Sequence, residues 1–160
     1  MWSPGSEDHY TRDLEVVMEF QLYLAIGGEG FDADVFSREV SAARSVVKRV
    51  GSRGHQIDPA KFPIWNVWES ERIDGSNEPG DDIPALLAAN GRAISLFKDP
   101  RWLSVEKWVA IVGHYTESDG PRGVSFDART VKLVAQIEAS IKVDMVVDPK
   151  EILKHLPKKA

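Results

Sequence analysis

The run Glu19–Ile26 alternates without a break: Phe20, Leu22, Leu24 and Ile26 take one parity, Glu19, Gln21, Tyr23 and Ala25 the other. That spacing suits a strand with one buried face, because successive side chains leave a pleated backbone on opposite sides. Within a few residues the period changes. Gly27, Gly28 and Gly30 break the alternation, and Asp32 stands where an N-cap carboxylate accepts first-turn N–H groups. Val35, Phe36, Val40 and Ala43 then follow at helical spacing. A one-sided strand feeding a one-sided helix predicts a layered domain, helix on sheet.

The same reading extends along the chain. Arg44–Gly54 is β-branched and ends in glycines, predicting a second strand, and Ile64–Arg72 predicts a third. "DGSNEPGDD" reads as a long turn. Asp81 or Asp82 then caps a helix carrying Ile83, Leu86, Leu87, Ile94 and Phe97, with Pro84 in its first turn and Asp99-Pro100 as its stop. Val105–Thr116 is a long strand. Asp127 caps a further helix with Val131, Val134 and Ile137 on its face, and the last strand puts Ile141, Val143, Met145 and Val147 on one side.

The order is β-α-β-β-α-β-α-β. Its first six elements match the split βαβ unit of ferredoxin-like folds, and the extra α-β lengthens the sheet. The expected class is α+β: a mostly antiparallel sheet of about five strands with its helices on one face. Residues 1–15, polar and without period, read as a flexible arm, 16–148 as a single domain, and 149–160 as a tail.

Composition narrows the function. The 160 residues fit one domain, and a net charge of −5 argues against nucleic acid and a polybasic membrane anchor. There is no cysteine, so there is no thiolate nucleophile, disulfide or Cys-based metal site; a reducing cytoplasm is compatible with this. No apolar run approaches the ~20 residues that span a bilayer, and the first residues lack a basic start before an apolar block. The expected location is cytoplasmic.

Four segments, taken in order, carry a family resemblance. They are "EFQLYLAIGGEGFDADVFSREV", "RVGSRG", the Trp-Glu-Ser of "NVWESER", and "GVSFDARTVKLVAQIEASIKVDMVV" with its acidic Asp144. Over roughly residues 17–147 the chain resembles the bacterial domain-of-unknown-function family numbered 4279. The resemblance implies a bacterial α+β domain and carries over no catalytic residue.

The chemistry-bearing residues are few. Gly28, Gly30 and Ala33 fit G-x-G-x-x-A loosely, but Glu29, Asp32 and Asp34 surround them and would repel a phosphate, so the loop reads as a strand-to-helix turn. Trp65 and Trp68, three apart, must face opposite sides of a strand, one of them toward the core. Trp108 shares a side with Ala110, Val112 and His114, opposite Val109, Ile111 and Tyr115. Glu69 and Glu71 share a side at i, i+2, within possible reach of Asp144, and Lys48, Arg49 or Lys107 could pair with them. No histidine pair has metal-ligand spacing, and no Ser sits in a nucleophile elbow.

The leading expectation is therefore a non-enzymatic protein-binding module without cofactor or metal, an immunity protein shielding a toxin being one form. Its expected contacts are Trp65 or Trp68, Glu69, Glu71 and Tyr115. The alternative is a small-molecule-binding or hydrolytic domain with a pocket between sheet and helices around His114 and Trp108. Homodimerisation through an edge strand, the final one foremost, is a third.

Overall fold

A computed structural model describes residues 19–52, 58–61, 63–115 and 123–147. The strands are β1 (Glu19–Gly28), β2 (Val46–Lys48), β3 (Asn66–Glu69), β4 (Ile73–Gly75), β5 (Glu106–Tyr115) and β6 (Ser140–Val147). The helices are α1 (Ala33–Val40), α2 (Ile83–Ala89), α3 (Gly91–Phe97) and α4 (Ala128–Gln136). The chain is α+β, as the period changes predict. The expected arm and tail lie outside the described residues.

All six strands form one sheet in the order β2-β3-β1-β5-β6, with β4 also paired to β1. Every pairing is antiparallel except β5 with β6. β1 and β2, joined through α1, flank the antiparallel β3, which is a split βαβ unit; the order is compatible with the ferredoxin-like expectation, α4-β6 adding a parallel strand outside β5.

One face of the sheet is dry. Leu22, Leu24, Ile26, Trp68, Val109 and Ile111 meet Phe36 and Val40 of α1, Leu86 of α2, Phe97 of α3 and Val134 of α4. Phe36 is the hub, with Trp68 at 5.1 Å and Trp102 at 5.0 Å between ring centroids, both edge-on.

Several local expectations need correction. Gly27 and Gly28 do not break β1 but belong to it, since the strand runs to Gly28; both pair with β3, and Gly27 also with β5. Of the three loop glycines only Gly30 takes a positive φ, 73°. α1 stops at Val40, where Ser41 turns left-handed at φ 53°, so Ala43 falls outside it. β2 is three residues long, not eleven, and the long turn begins with β4, a strand the pattern hid. The single helix of residues 82–98 is two, α2 and α3, because Asn90 Nδ2 donates to Leu86 O (2.9 Å) at the α2 end and Gly91 starts the next. Asp82 does not cap α2; its carboxylate accepts from Ser76 N (2.7 Å) and Ser76 Oγ (2.9 Å). On α4, Val131 faces solvent and Thr130 takes the buried position. The caps at Asp32 and Asp127 form as expected, accepting from Val35 N (3.1 Å) and Thr130 N (2.7 Å).

One irregularity shapes the site. Ala25 pairs with Glu69 and Leu22 with Ile73, so two residues of β1 face three on the other side, Ser70, Glu71 and Arg72. This is a β-bulge. Ser70 holds it: its N–H donates to Leu24 O (2.8 Å) and its Oγ accepts from Leu24 N (2.9 Å), the hydroxyl replacing a backbone carbonyl.

Candidate functional site

The sheet face away from the helices is the candidate site. Register places Tyr23, Ala25 and Gly27 of β1, Val67 and Glu69 of β3, Trp108 and Ala110 of β5, and Lys142 and Asp144 of β6 on it. No described helix covers it, yet Ala25, Val67, Trp108 and Ala110 are buried, with Tyr23 and Trp65 packed beside them. Gly27 makes this possible. A Cβ there would stand 2.7 Å from Val67 Cγ2 and 3.3 Å from Trp108 Cη2, so the missing side chain leaves the space the indole uses. Lys142 lies over the Trp108 ring, its Nζ 4.0 Å from the ring centroid and 3.6 Å from Glu106 Oε2.

Next to this aromatic patch lies a charged cluster. The Glu69 side chain is only 5% exposed, with Lys48 Nζ 2.7 Å from Oε1 and Arg72 Nη2 3.9 Å from Oε2. Burying a carboxylate is tolerable when cations and donors replace its water, and Lys48 does so at hydrogen-bond distance. The bulge brings Arg72 back over the face, where its guanidinium lies 4.7 Å from the Tyr23 ring centroid and its Nη1 donates to Gln21 Oε1 (3.3 Å). Burial, and then the negative charge of Glu69, push the Tyr23 phenol up to about 12, against a smaller opposing effect of Arg72. Tyr23 is thus an uncharged aromatic at neutral pH.

The sequence-predicted residues divide between the two faces. Trp65 and Glu69 are together on the open face. Trp68 is the core member of its pair, fully buried, its Nε1 meeting no acceptor among the described residues. Tyr115 lies on the helix side, half-buried against the core. Glu71 sits in the bulge, exposed and 3.1 Å from Arg44 Nη1, apart from the buried ion pair of Glu69 with Lys48. Asp144 does not approach either glutamate, because β1 and β5 separate β3 from β6 by roughly 14 Å. Among the expected cations Lys48 does pair with Glu69, but Arg49 pairs with Asp34 (2.6 Å). Lys107 is on the helix side, buried, donating from Nζ to Trp102 O (2.7 Å); burial pulls its pKa down.

His114 and Trp108 do share a strand face, as the alternation predicts, but it is the open one. Six residues apart, they are roughly 20 Å from each other, too far to line one small pocket, and they do not lie between sheet and helices. The alternative expectation loses its geometry there. Tyr23, Arg72 and Lys142 went unnoticed because their roles depend on the bulge and on the pairing of β5 with β6. The one available signal was Tyr23 at a polar position of the β1 alternation.

The glycine loop borders a cleft of about 310 Å³ lined by Gly30, Phe31, Asp32, Ala33, Asp34, Val47, Arg49 and Asn66. Asp32 takes the N-cap there and Asp34 engages Arg49, so the charge at the helix start is balanced within the chain. Asn66 ties the loop down, accepting from Val50 N (3.0 Å) and donating to Phe31 O (3.2 Å). Among the described residues no group of three or more His, Cys, Asp or Glu side chains is placed to hold a metal ion, and no helix is long and apolar enough to cross a membrane.

Fold and site together define an α+β domain with one covered and one open sheet face. No family model, curated protein or solved structure matches the chain.

Proposed function

We propose that this chain is a non-enzymatic protein-binding module that docks a partner with a basic surface on the open face of its sheet. One observation carries the reading: the face gathers Trp65, Trp108 and Tyr23 beside charges that are mostly already spent within the chain. Lys48 and Arg72 are occupied by Glu69, and Lys142 by Glu106 and Trp108. Asp74 and Asp144 on the same face have no ion pair among the described residues. Trp108 is buried beneath Lys142, so the aromatic area the face offers is that of the part-buried Trp65 and Tyr23. Residual negative charge comes from Asp74 and Asp144, on a chain of net charge −5. Aromatic anchors beside unpaired charge of one sign, the opposite charges being already paired, favour a partner of the opposite sign. An immunity protein covering a toxin's basic site is one member of this class, and the family resemblance, which implies only a bacterial α+β domain, is compatible with it.

The test uses a photo-crosslinking residue at position 65, with position 88 on the exposed side of α2 as control, in native lysate. The expected product is a basic-surfaced polypeptide captured from position 65. Once purified, it should lose about tenfold in affinity with Trp65→Ala and again with Asp74→Lys. Capture from position 88 alone, or binding indifferent to both substitutions, overturns the reading.

A further inference from the structure

We propose that a second copy of this chain pairs antiparallel along the outer edge of β6, joining two sheets into one across a two-fold axis at Val143. This inference uses an edge of the sheet but shares Lys142 and Asp144 with the partner-binding reading. The seam draws Lys142 from Glu106 to the second copy's Asp144 and leaves Asp74 as the unpaired acid of the open face, so the Trp65 and Asp74 variants test that reading without touching the seam.

The two ends of the sheet differ. β2 closes one end with three residues, led in by Arg44 at φ 60° and followed by Arg49, a short, basic edge of the kind that discourages pairing. β6 closes the other end with eight residues, no proline and no pairing beyond β5 among the described residues. Its middle is uncovered on both faces: Lys142, Val143 and Asp144 are all exposed. Val143 is the telling one. Register sets it beside Ile111 on the helix side, where its neighbours at i−2 and i+2, Ile141 and Met145, pack on the core. Val143 itself remains 43% exposed, a β-branched apolar side chain on the dry side of a sheet with nothing described over it.

The sequence around Val143 is complementary to its own reverse. Antiparallel pairing centred there sets Val143 against Val143 on the axis, and Ile141 against Met145 and Lys142 against Asp144, the last two pairs each occurring twice by symmetry. Antiparallel partners share a sheet face, so both Lys142–Asp144 pairs fall on the open side and the apolar pairs on the helix side. The axis stands perpendicular to the sheet. Twice six strands form one continuous sheet, its two open faces on the same side. A shift of two residues either way loses this match: it sets Lys142 against itself, or Asp144 against itself.

Sedimentation of the full chain at ~100 μM, which populates even micromolar dimers, should give about twice the 17.8 kDa chain mass. Lys142→Asp leaves only acid at the seam and Asp144→Lys only base, so each alone should self-associate at least ~10-fold more weakly. Mixing the two variants restores both opposite-charge pairs and should return the dimer as a heterodimer. Because the chain has no cysteine, Val143→Cys gives a second readout in an otherwise unchanged seam. It should oxidise to a covalent dimer, while Ser95→Cys on α3 should not. A wild type that sediments at the single-chain mass overturns the proposal. So do two single variants that each stay dimeric, a mixture that fails to recover, or a position-143 cysteine that crosslinks no better than position 95.

Discussion

The two faces of this sheet are built from the same strands and follow different rules. On the helix side, burial is achieved by bulk: Leu22, Leu24, Ile26 and Trp68 interlock with Phe36 and its neighbours, and four helices exclude water. On the open side an indole reaches to a glycine, a lysine covers the indole, and a carboxylate is buried between two cations. The first arrangement is held by volume and tolerates little change in it. The second is held by specific pairs, so its parts should be separable by single substitutions. The comparison teaches that low exposure has two origins here, and only one is a hydrophobic core.

The largest test is the tryptophan pair at β3, Trp68 within the strand and Trp65 just before it. Trp68→Ala removes a fully buried indole and should cost about 3–5 kcal/mol of unfolding free energy. Trp65→Ala should cost roughly 1 kcal/mol, since Trp65 is only half-buried. Chemical denaturation of both variants measures the contrast; equal losses would mean the faces do not differ as described. Lys48→Met comes next. It leaves Glu69 with Arg72 alone, at 3.9 Å, and should destabilise by about 1–2 kcal/mol, less than for a fully buried pair because Lys48 is 41% exposed. The double variant Lys48→Met with Glu69→Leu should recover most of that loss, which the same denaturation series would show.

Alkaline titration sharpens the comparison at the smallest scale, because each face holds one displaced group. Folding raises the Tyr23 pKa from 10.0 to about 12, so between those values the unfolded chain loses a proton the folded chain keeps. Tyr23 therefore lowers stability as pH rises through that window. Burial lowers the Lys107 pKa below 10.5, so the unfolded chain keeps a proton the folded chain has lost, and stability rises with pH up to about that value. Phenolate absorbance should show a step near 12 that Tyr23→Phe abolishes and Glu69→Gln moves down, since the Glu69 charge is one of its causes. A wild type in which every tyrosine titrates near 10 refutes the described surroundings of Tyr23.

What the sequence shows of all this follows the same division. The α+β class, the β1 alternation, the Asp32 and Asp127 caps and the one-sided placement of helices are legible, because each depends on residues within one or two turns of each other. The Trp65–Trp68 parity is legible too, though not which of the two is inside. Gly27 misleads, since glycine reads as a breaker and the atoms that crowd a Cβ there, Val67 and the Asn66 carbonyl first and then the Trp108 ring, lie some forty and eighty-one positions away. The Asn90-Gly91 break is hidden because Leu87 and Ile94 keep a helical spacing across it. The charged cluster is the least legible. Arg72 reaches Tyr23 only by virtue of an extra residue in the strand, and Lys142 reaches Trp108 only because β6 runs parallel to β5.

That extra residue is held by Ser70, whose hydroxyl accepts from the Leu24 N–H deep in the sheet while its own N–H donates to the Leu24 carbonyl. Replace the oxygen with hydrogen and one interior amide loses its acceptor, at the crease that sets the guanidinium two positions on over its ring. The chemical character of the outer surface here is governed from within, by an atom no visitor can touch.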